Sequence, residues 1–350
     1  MTNTTRIFNQ NPIQIHKDHK YQQQGHTLLE LMLSLSLGLF ILAASLSFYQ
    51  STQKTQQIQK VVAIARENAK FAFDLIKADI QMAGFYGCIS KMADSRIVNT
   101  LNSPDAFKWN FLQAIFASEN SGSKQWNPPL DSSLANADVY TGDVVTLRYA
   151  DRQEFNVAEH SSQTAPLKTT AKNNLRRYDY GLVSDCLSGS IFQKTNSSTG
   201  SLTIQHDTSS VPNKYAGNAT EDLAYTFSNK AKLRRLYSIS YYIAKKTGRI
   251  PALYRKDGAR RAEEVIAGIA DMQVRLGIDS NADGAVDTYL SADQVYAANN
   301  WKNVVLVNLK IVSKAYKEQV ITGNEVALYN NGAEIQYQLQ ANIALRNHLP

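Results

Sequence analysis

Residues that commonly carry catalytic or metal chemistry are scarce in this 350-residue sequence, which has only two cysteines and six histidines. Cys88 and Cys186 form no CxxC pair and have no histidine near them in sequence, so neither a zinc site nor a thiol redox motif is indicated. The sequence also contains no GxSxG, HExxH, GxGxxG or GxxxxGKS/T motif. We therefore predict that the protein is not an enzyme.

The sequence also lacks a strong charge bias. Its net charge is +7, and the basic residues are scattered apart from short clusters such as KLRRLY and RKDGARR. A nucleic-acid-binding surface typically shows a concentrated basic patch. The charge pattern instead indicates an ordinary solvated surface, and we predict no direct contact with nucleic acid.

One long segment has almost no charge. Residues 26–49 form an otherwise uncharged apolar run that contains Glu30. As a helix this run covers ~36 Å, enough to cross a bilayer core of ~30 Å. A carboxylate inside a membrane helix is unfavourable by a few kcal/mol and therefore calls for a partner. The alternative is that Glu30 lies near a helix end and reaches the lipid headgroups.

The N-terminus has the composition of a targeting region, and three interpretations are open. It is a cleaved secretory signal, an uncleaved signal anchor, or a signal that is cut before the apolar run on the cytoplasmic face. The first two explain neither Glu30 nor Gly25, which directly precedes the apolar run. The third explains both residues.

The stretch G-H-T-L-L-E, from Gly25 to Glu30, resembles the prepilin signature. In that family a glycine precedes the cut and a glutamate is the fifth residue of the mature chain, while His26 replaces the usual phenylalanine. Several longer blocks resemble PilW-type minor pilins of type IV pili. These blocks are Ala65–Cys88, SDCLSGSIFQ around Cys186, Pro251–Lys256, Glu263–Tyr289 and Ile343–Asn347.

This resemblance implies specific processing and a specific role for the glutamate. Prepilin peptidase would remove the leader, residues 1–25, by cutting between Gly25 and His26, and His26 would then be N-methylated. Glu30 would meet the terminal amine of a neighbouring pilin, because each is a buried charge that needs an opposite one. The alternative is that Glu30 neutralises the amine of its own chain.

The pattern after the apolar run predicts that the helix continues. Between Tyr49 and Gly84 there is no proline and no glycine, and apolar residues recur at a spacing of three and four. We therefore predict one helix over residues 26–83, ~87 Å long, with residues 26–49 as its transmembrane and assembly part. Its second half is amphipathic and requires a globular partner on one face.

The remainder, residues 84–350, is predicted to form a β-rich head. Five segments alternate apolar and polar residues, which is typical of half-buried antiparallel strands with one solvated face. In the first of them Val145, Leu147 and Tyr149 share one face, and Thr146 and Arg148 the other. The predicted fold class is α+β, a long N-terminal helix packed on an antiparallel β-rich head, and the resemblance implies a type IV pilin-like arrangement.

Two further features concern the head. If it lies outside the cytoplasm, the even cysteine count predicts a Cys88–Cys186 disulfide. An acidic stretch also resembles the first half of an EF-hand-type calcium loop, although the glutamate expected at its twelfth position is missing. Calcium binding and a plain acidic turn both remain open for this stretch, whose oxygen donors would be Asp279, Asn281, Asp283, the carbonyl of Ala285 and Asp287.

Taken with the resemblance, these features predict a minor pilin that helps prime and build the type IV pilus, at or near its tip. The implied partners are prepilin peptidase, other minor pilins, the major pilin and a tip adhesin. The implied location is the inner membrane with the head in the periplasm, and later the pilus at the cell surface. The alternatives are a type II secretion pseudopilin and a membrane-anchored periplasmic binding domain that does not polymerise.

Overall fold

The computed structural model describes residues 27–89, 96–135, 139–197, 200–316, 329–330 and 333–347. Three helices and a short 3-10 helix accompany the strands in these ranges: α1 (Leu28–Met82), α2 (Ser132–Ala135), α3 (Ala292–Ala297) and the 3-10 helix Trp301–Asn303. The first nine strands are β1 (Arg96–Asn99), β2 (Ile115–Gly122), β3 (Gln125–Asn127), β4 (Val139–Ala150), β5 (Phe155–Glu159), β6 (Leu167–Thr169), β7 (Tyr180–Ser184), β8 (Ser188–Gln193) and β9 (Thr203–Ile204). The other nine are β10 (Lys232–Ala244), β11 (Ala252–Asp257), β12 (Glu263–Ala267), β13 (Ile269–Ile278), β14 (Thr288–Leu290), β15 (Val304–Lys314), β16 (Tyr329–Asn330), β17 (Ala333–Glu334) and β18 (Gln336–Ala344).

The chain divides into two compact units, residues 1–57 and residues 58–350. The first unit holds the apolar part of α1, whose side chains are exposed on every side. The second unit holds the rest of α1 and the strands. A long apolar N-terminal helix and a β-rich region confirm the α+β class that the sequence predicts.

Within the second unit α1 buries one face against the sheets. The buried positions recur at a spacing of three and four and belong to the largest hydrophobic cluster of the fold: Ala69, Ala72, Phe73, Ile76 and Ile80. The alanines let the helix backbone approach the strands closely, while the larger side chains fill the space between elements. The helix ends before Gly84, whose φ of +75° is readily adopted by glycine and by few other residues.

The strands form two main sheets. A 12-stranded sheet follows the path β1-β8-β7-β10-β4-β2-β3, and a four-stranded sheet follows β14-β13-β15-β18. Among the described strands every pairing is antiparallel except that of β1 with β8, which is parallel. The large sheet is therefore mixed rather than antiparallel throughout. Each of these two strands follows one cysteine of the Cys88–Cys186 disulfide along the chain.

The prediction of one solvated face is right for β13 and wrong for β4. On β13 Gln273 and Arg275 are exposed and alternate with buried Met272, Val274 and Leu276. On β4 Thr146 and Arg148 are buried as well, and the chain between β1 and β2 contacts Arg148 on that face. Arg148 donates from its guanidinium to the carbonyls of Gln113, at 2.8 Å, and Phe107, at 2.5 Å.

Burial lowers the pKa of Arg148 to about 10. A guanidinium at that value remains charged at neutral pH, and the carbonyl acceptors compensate for part of its lost hydration. Sequence alternation cannot reveal this burial, because an arginine on a strand usually marks the solvated face.

Candidate assembly site

The apolar part of α1 carries most of the exposed large hydrophobic side chains in the described part of the chain. Leu28, Phe40 and Phe48 are 79, 74 and 76% exposed, and their neighbours on all sides of the helix are similarly uncovered. Among the described residues, α1 is the one helix long and apolar enough to cross a membrane by length and composition. An apolar surface of this kind requires lipid or other apolar helices around it.

Two serine hydroxyls of this segment are satisfied within the helix. The hydroxyl of Ser34 donates to the carbonyl of Glu30 at 2.6 Å, and the hydroxyl of Ser36 donates to the carbonyl of Met32 at 2.7 Å. Such bonds to the preceding turn remove the penalty of placing a free hydroxyl in an apolar environment. The segment can therefore exchange lipid for apolar protein neighbours without exposing an unpaired serine hydroxyl at these positions.

Glu30 lies in the first turn of α1. Its backbone N–H donates to the carbonyl of Thr27 at 3.0 Å. A carboxylate in the first turn interacts favourably with the positive end of the helix dipole. Gly25 and His26 lie outside the described residues, so the cleavage site, the N-methylation of His26 and the pairing of Glu30 with an amine all stay predictions.

At the other end of the same helix, Asp79 joins α1 to the large sheet. Its two carboxylate oxygens accept hydrogen bonds from the hydroxyls of Tyr149 on β4, at 2.8 Å, and Tyr241 on β10, at 2.7 Å. The Nε of Arg255 on β11 lies 3.6 Å from the same carboxylate. Burial raises the pKa of both tyrosines, which keeps their hydroxyls protonated as donors.

Asp79 is not among the residues predicted from the sequence. The signal was present, since Asp79 directly precedes Ile80 and follows Ile76 by three positions, which places an acidic residue at the edge of the buried stripe. A charge in that position indicates a polar partner on the packed element. The identity of the partner could not be read from the spacing.

The C-terminal end of α1 is closed by a residue from the far end of the chain. The side-chain amide of Asn347 lies 3.4 Å from the carbonyl oxygen of Gln81 and 3.2 Å from that of Ala83. The last carbonyls of a helix have no partner within the helix, and this amide supplies one. The contact gives a structural role to the last residue of the Ile343–Asn347 block.

The predicted disulfide between Cys88 and Cys186 is present, with the two Cα atoms 5.1 Å apart. It links residues 98 positions apart and joins the chain just after α1 to the turn between β7 and β8. Asp185 shapes this turn, because its Oδ1 accepts the backbone N–H groups of Leu187 at 3.1 Å and Ser188 at 2.8 Å. These hydrogen bonds lower the pKa of Asp185 against the opposing effect of its burial.

The acidic loop after β13 holds its own backbone. Asp279 is buried and accepts the N–H groups of Ala282, at 2.7 Å, and Gly284, at 2.8 Å, through separate oxygens. Asp287 accepts the N–H of Ser280 at 2.7 Å. In the described part of the chain no three His, Cys, Asp or Glu side chains come together as a metal site.

Two of the other predicted calcium donors of this loop, Asn281 and Asp283, are also hydrogen-bonded within the chain. Asn281 accepts the N–H of Asp283 at 3.0 Å, and Asp283 in turn accepts the N–H of Ala285 at 2.8 Å. Side-chain oxygens that bond to backbone N–H groups in this way form Asx turns. The loop thus has the hydrogen bonds of an acidic turn, and calcium binding stays a prediction from the sequence pattern.

Comparison with known proteins gives one family. The model of a family described as type IV pilus-assembly protein W, PilW, matches residues 240–347. This range includes β11 to β15, the acidic loop, β18 and Asn347. No curated protein and no solved structure matches the chain.

Proposed function

The match over residues 240–347 supports a PilW-type assignment of the chain, and from that premise we propose that the protein is a minor pilin that helps to prime and build the type IV pilus. The family assignment implies involvement in pilus assembly and interaction with pilus components. The single observation that supports a role as a minor pilin is the exposed apolar part of α1. The same helix continues into a segment with one face buried in the β-rich unit.

The proposed mechanism is structural rather than catalytic. The leader, residues 1–25, is removed by prepilin peptidase, and the mature chain, with an N-methylated His26, is held in the inner membrane by its apolar helix. During assembly the helix exchanges lipid for the apolar helices of other minor pilins and of the major pilin. This exchange is energetically mild, because lipid tails and leucine side chains are similarly apolar.

The helix and the head are proposed to act as separate functional parts, residues 26–83 and 84–350. Asp79, Asn347 and the disulfide connect the two parts, because each fixes the end of α1 or the chain just after it to the strands. A head fixed in this way presents one surface at or near the tip, where it would contact other minor pilins and an adhesin.

The test concerns Glu30. Glu30→Ala should insert into the membrane, be cleaved and fold its head normally, since removing a carboxylate eases insertion. Its incorporation into pili should fall about tenfold or more, because the mutant lacks the charge that would pair with the amine of a neighbour. Glu30→Asp should be intermediate. The measurements are the amount of the protein in sheared pili and its recovery of other minor pilins in a pulldown.

A matched control is Glu221→Ala, which removes one negative charge from an exposed site of the head. It should leave both measurements at the wild-type level. Wild-type pilus incorporation of Glu30→Ala would contradict an assembly role for the glutamate and would favour the headgroup interpretation.

A further inference from the structure

A cleft of about 500 Å³ opens beside the end of α1, in the second unit of the chain. One side of it is formed by β4 and the chain that follows, and the other by β10, β11 and the turn into β12. Met82, Tyr149 and Tyr237 contribute carbon surface to its wall. The cleft also contains six arginines: Arg152, Arg176, Arg235, Arg255, Arg260 and Arg261.

Three of the arginines are neutralised by aspartates of the fold. These inner arginines form ion pairs with three largely buried carboxylates, at distances of up to 3.6 Å. The pairs are Arg235 and Arg260 with Asp179 and Asp257, and Arg255 with Asp79. Their charges and hydrogen bonds are engaged in holding β10, β11 and α1 together, so they contribute little to ligand binding.

The outer three arginines, Arg152, Arg176 and Arg261, are exposed at the mouth of the cleft. None of them forms an ion pair within the described residues. Arg152 donates from its Nε to the sulfur of Met82 at 3.0 Å, which is a weak acceptor. Their guanidinium groups are therefore available to a ligand from outside, and guanidinium is the group best suited to bind carboxylate or phosphate with two parallel hydrogen bonds.

Two carboxylates share the mouth with these outer arginines and limit the charge of a suitable ligand. Glu263 is exposed, and Asp151 accepts the hydroxyl of Tyr237 at 3.1 Å and the amide of Asn174 at 3.2 Å. Three cations and two anions leave one net positive charge. One carboxylate equals this net charge and two exceed it by a single charge, whereas a nucleic-acid backbone carries a longer run of negative charges, which the two acids would repel.

We propose that this cleft binds one or two carboxylates carried by an acidic segment of a partner protein. A free dicarboxylate ion would fill a small part of the volume and would leave the half-buried Met82 and Tyr237 in water. A peptide segment with acidic side chains next to an aromatic or aliphatic one satisfies both the arginines and the carbon surface.

The test is calorimetric titration of the full chain in detergent at ~0.15 M salt, where the Debye length is ~8 Å. The probe is the capped peptide Gly-Glu-Tyr-Glu-Gly, with Gly-Gln-Tyr-Gln-Gly as its uncharged counterpart. Replacing Arg152, Arg176 and Arg261 together by Gln should weaken binding of the acidic peptide by about tenfold or more. Glu263→Gln should strengthen it by about two- to fivefold, because it removes a like charge from the mouth.

The control removes three exposed arginines outside the cleft, Arg66, Arg96 and Arg275, and so changes the net charge by the same amount. It should alter the affinity by no more than about twofold, since distant charges are screened. An equal loss in this control would contradict a site at the cleft, as would equal binding of the uncharged peptide or no binding of the acidic peptide to the wild type.

Three further probes separate the sources of the anion. Succinate should bind much more weakly than the acidic peptide, and so should inorganic phosphate and a short single-stranded DNA. Succinate binding as tight as that of the peptide would make the cleft a small-molecule site and overturn the proposed partner. Tighter binding of phosphate or DNA would overturn the carboxylate specificity. The melting temperature of each variant in detergent should match that of the wild type, because all the substituted side chains are exposed.

Discussion

At the scale of single residues, His160 and His206 form a buried pair beneath β5, β6 and β9. Their rings lie 6.3 Å apart, and each is at most 5% exposed. The Nδ1 of His160 accepts the backbone N–H of Phe227 at 3.1 Å, which fixes this nitrogen as unprotonated in the fold. Burial lowers the pKa of both imidazoles, and for His160 the nearby His206 adds to the effect.

The histidine pair predicts a loss of stability in mild acid. Below the ordinary histidine pKa of 6.5 the unfolded chain takes up protons that the folded head excludes, so the free energy of unfolding decreases as pH falls. His206→Gln keeps a side-chain donor for the carbonyl of Ala165 and removes one titrating group. It should reduce the pH dependence of unfolding between pH 7.5 and 5, as measured by denaturant titration at several pH values.

Asp143 also contributes to the pH dependence of unfolding, and its contribution has the opposite sign to that of the histidines. Its burial raises its pKa to about 6, although the N–H groups of Asn120 and Val274 donate to it and oppose the shift; Glu119 and Asp271 add smaller repulsions. The folded state therefore takes up a proton at Asp143 as pH falls, which adds stability. Comparing wild type with His206→Gln at each pH cancels this contribution. An unchanged slope in the variant would contradict the role of the histidines.

Asp279 is expected to stabilise the loop after β13 whether or not calcium is present. Asp279→Ala removes a buried carboxylate that accepts two backbone N–H groups, and should lower the free energy of unfolding by about 2 kcal/mol in the presence of EDTA. Asp283→Ala, at an exposed position of the same loop, should cost about 0.5 kcal/mol or less. An Asp279→Ala effect seen only in calcium would instead identify the carboxylate as a metal ligand.

At the scale of elements, the contact between α1 and the large sheet depends on Asp79. Asp79→Ala leaves the hydroxyls of Tyr149 and Tyr241 and the guanidinium of Arg255 without this acceptor in a largely buried place. The free energy of unfolding should fall by about 3 kcal/mol, as measured by thermal or denaturant unfolding of the full chain in detergent.

Asp74 provides the matched control on the same helix. It is exposed, so Asp74→Ala removes the same charge from α1 without breaking the contact with the sheet. Its effect should stay within about 0.5 kcal/mol. Similar destabilisation by the two variants would mean that helix charge, rather than the tyrosine hydrogen bonds, stabilises the contact between α1 and the large sheet.

The elements also differ in how far sequence could predict them. The buried stripe of α1 and the alternation of β13 follow directly from the positions of apolar residues, because in both cases one face packs and the other is solvated. The double burial of β4 and the parallel pairing of β1 with β8 could not be predicted in this way. Both depend on contacts with distant parts of the chain, and local periodicity carries no information on such contacts.

At the scale of the whole molecule, the same distinction applies to the candidate sites. The apolar helix that contains Glu30 and the disulfide could both be predicted from the sequence, because each prediction depends on composition or on a count of residues. The cleft beside the end of α1 could not be predicted, because Arg152, Arg176 and Arg261 come from three separate segments that are brought together by the fold. Only the structure distinguishes the inner arginines, which pair with largely buried aspartates, from the outer arginines, which form no ion pair within the described residues.

The most direct test of the central claim, that this chain is a processed pilus subunit, is N-terminal sequencing of the protein recovered from sheared pili. Cleavage between Gly25 and His26 predicts a chain that begins HTLLE and is present in the sheared fraction. A chain that is absent from that fraction and begins near Leu46 would have been cut by an ordinary signal peptidase. Such a chain would lack the apolar helix that assembly requires, and the pilin account would be wrong.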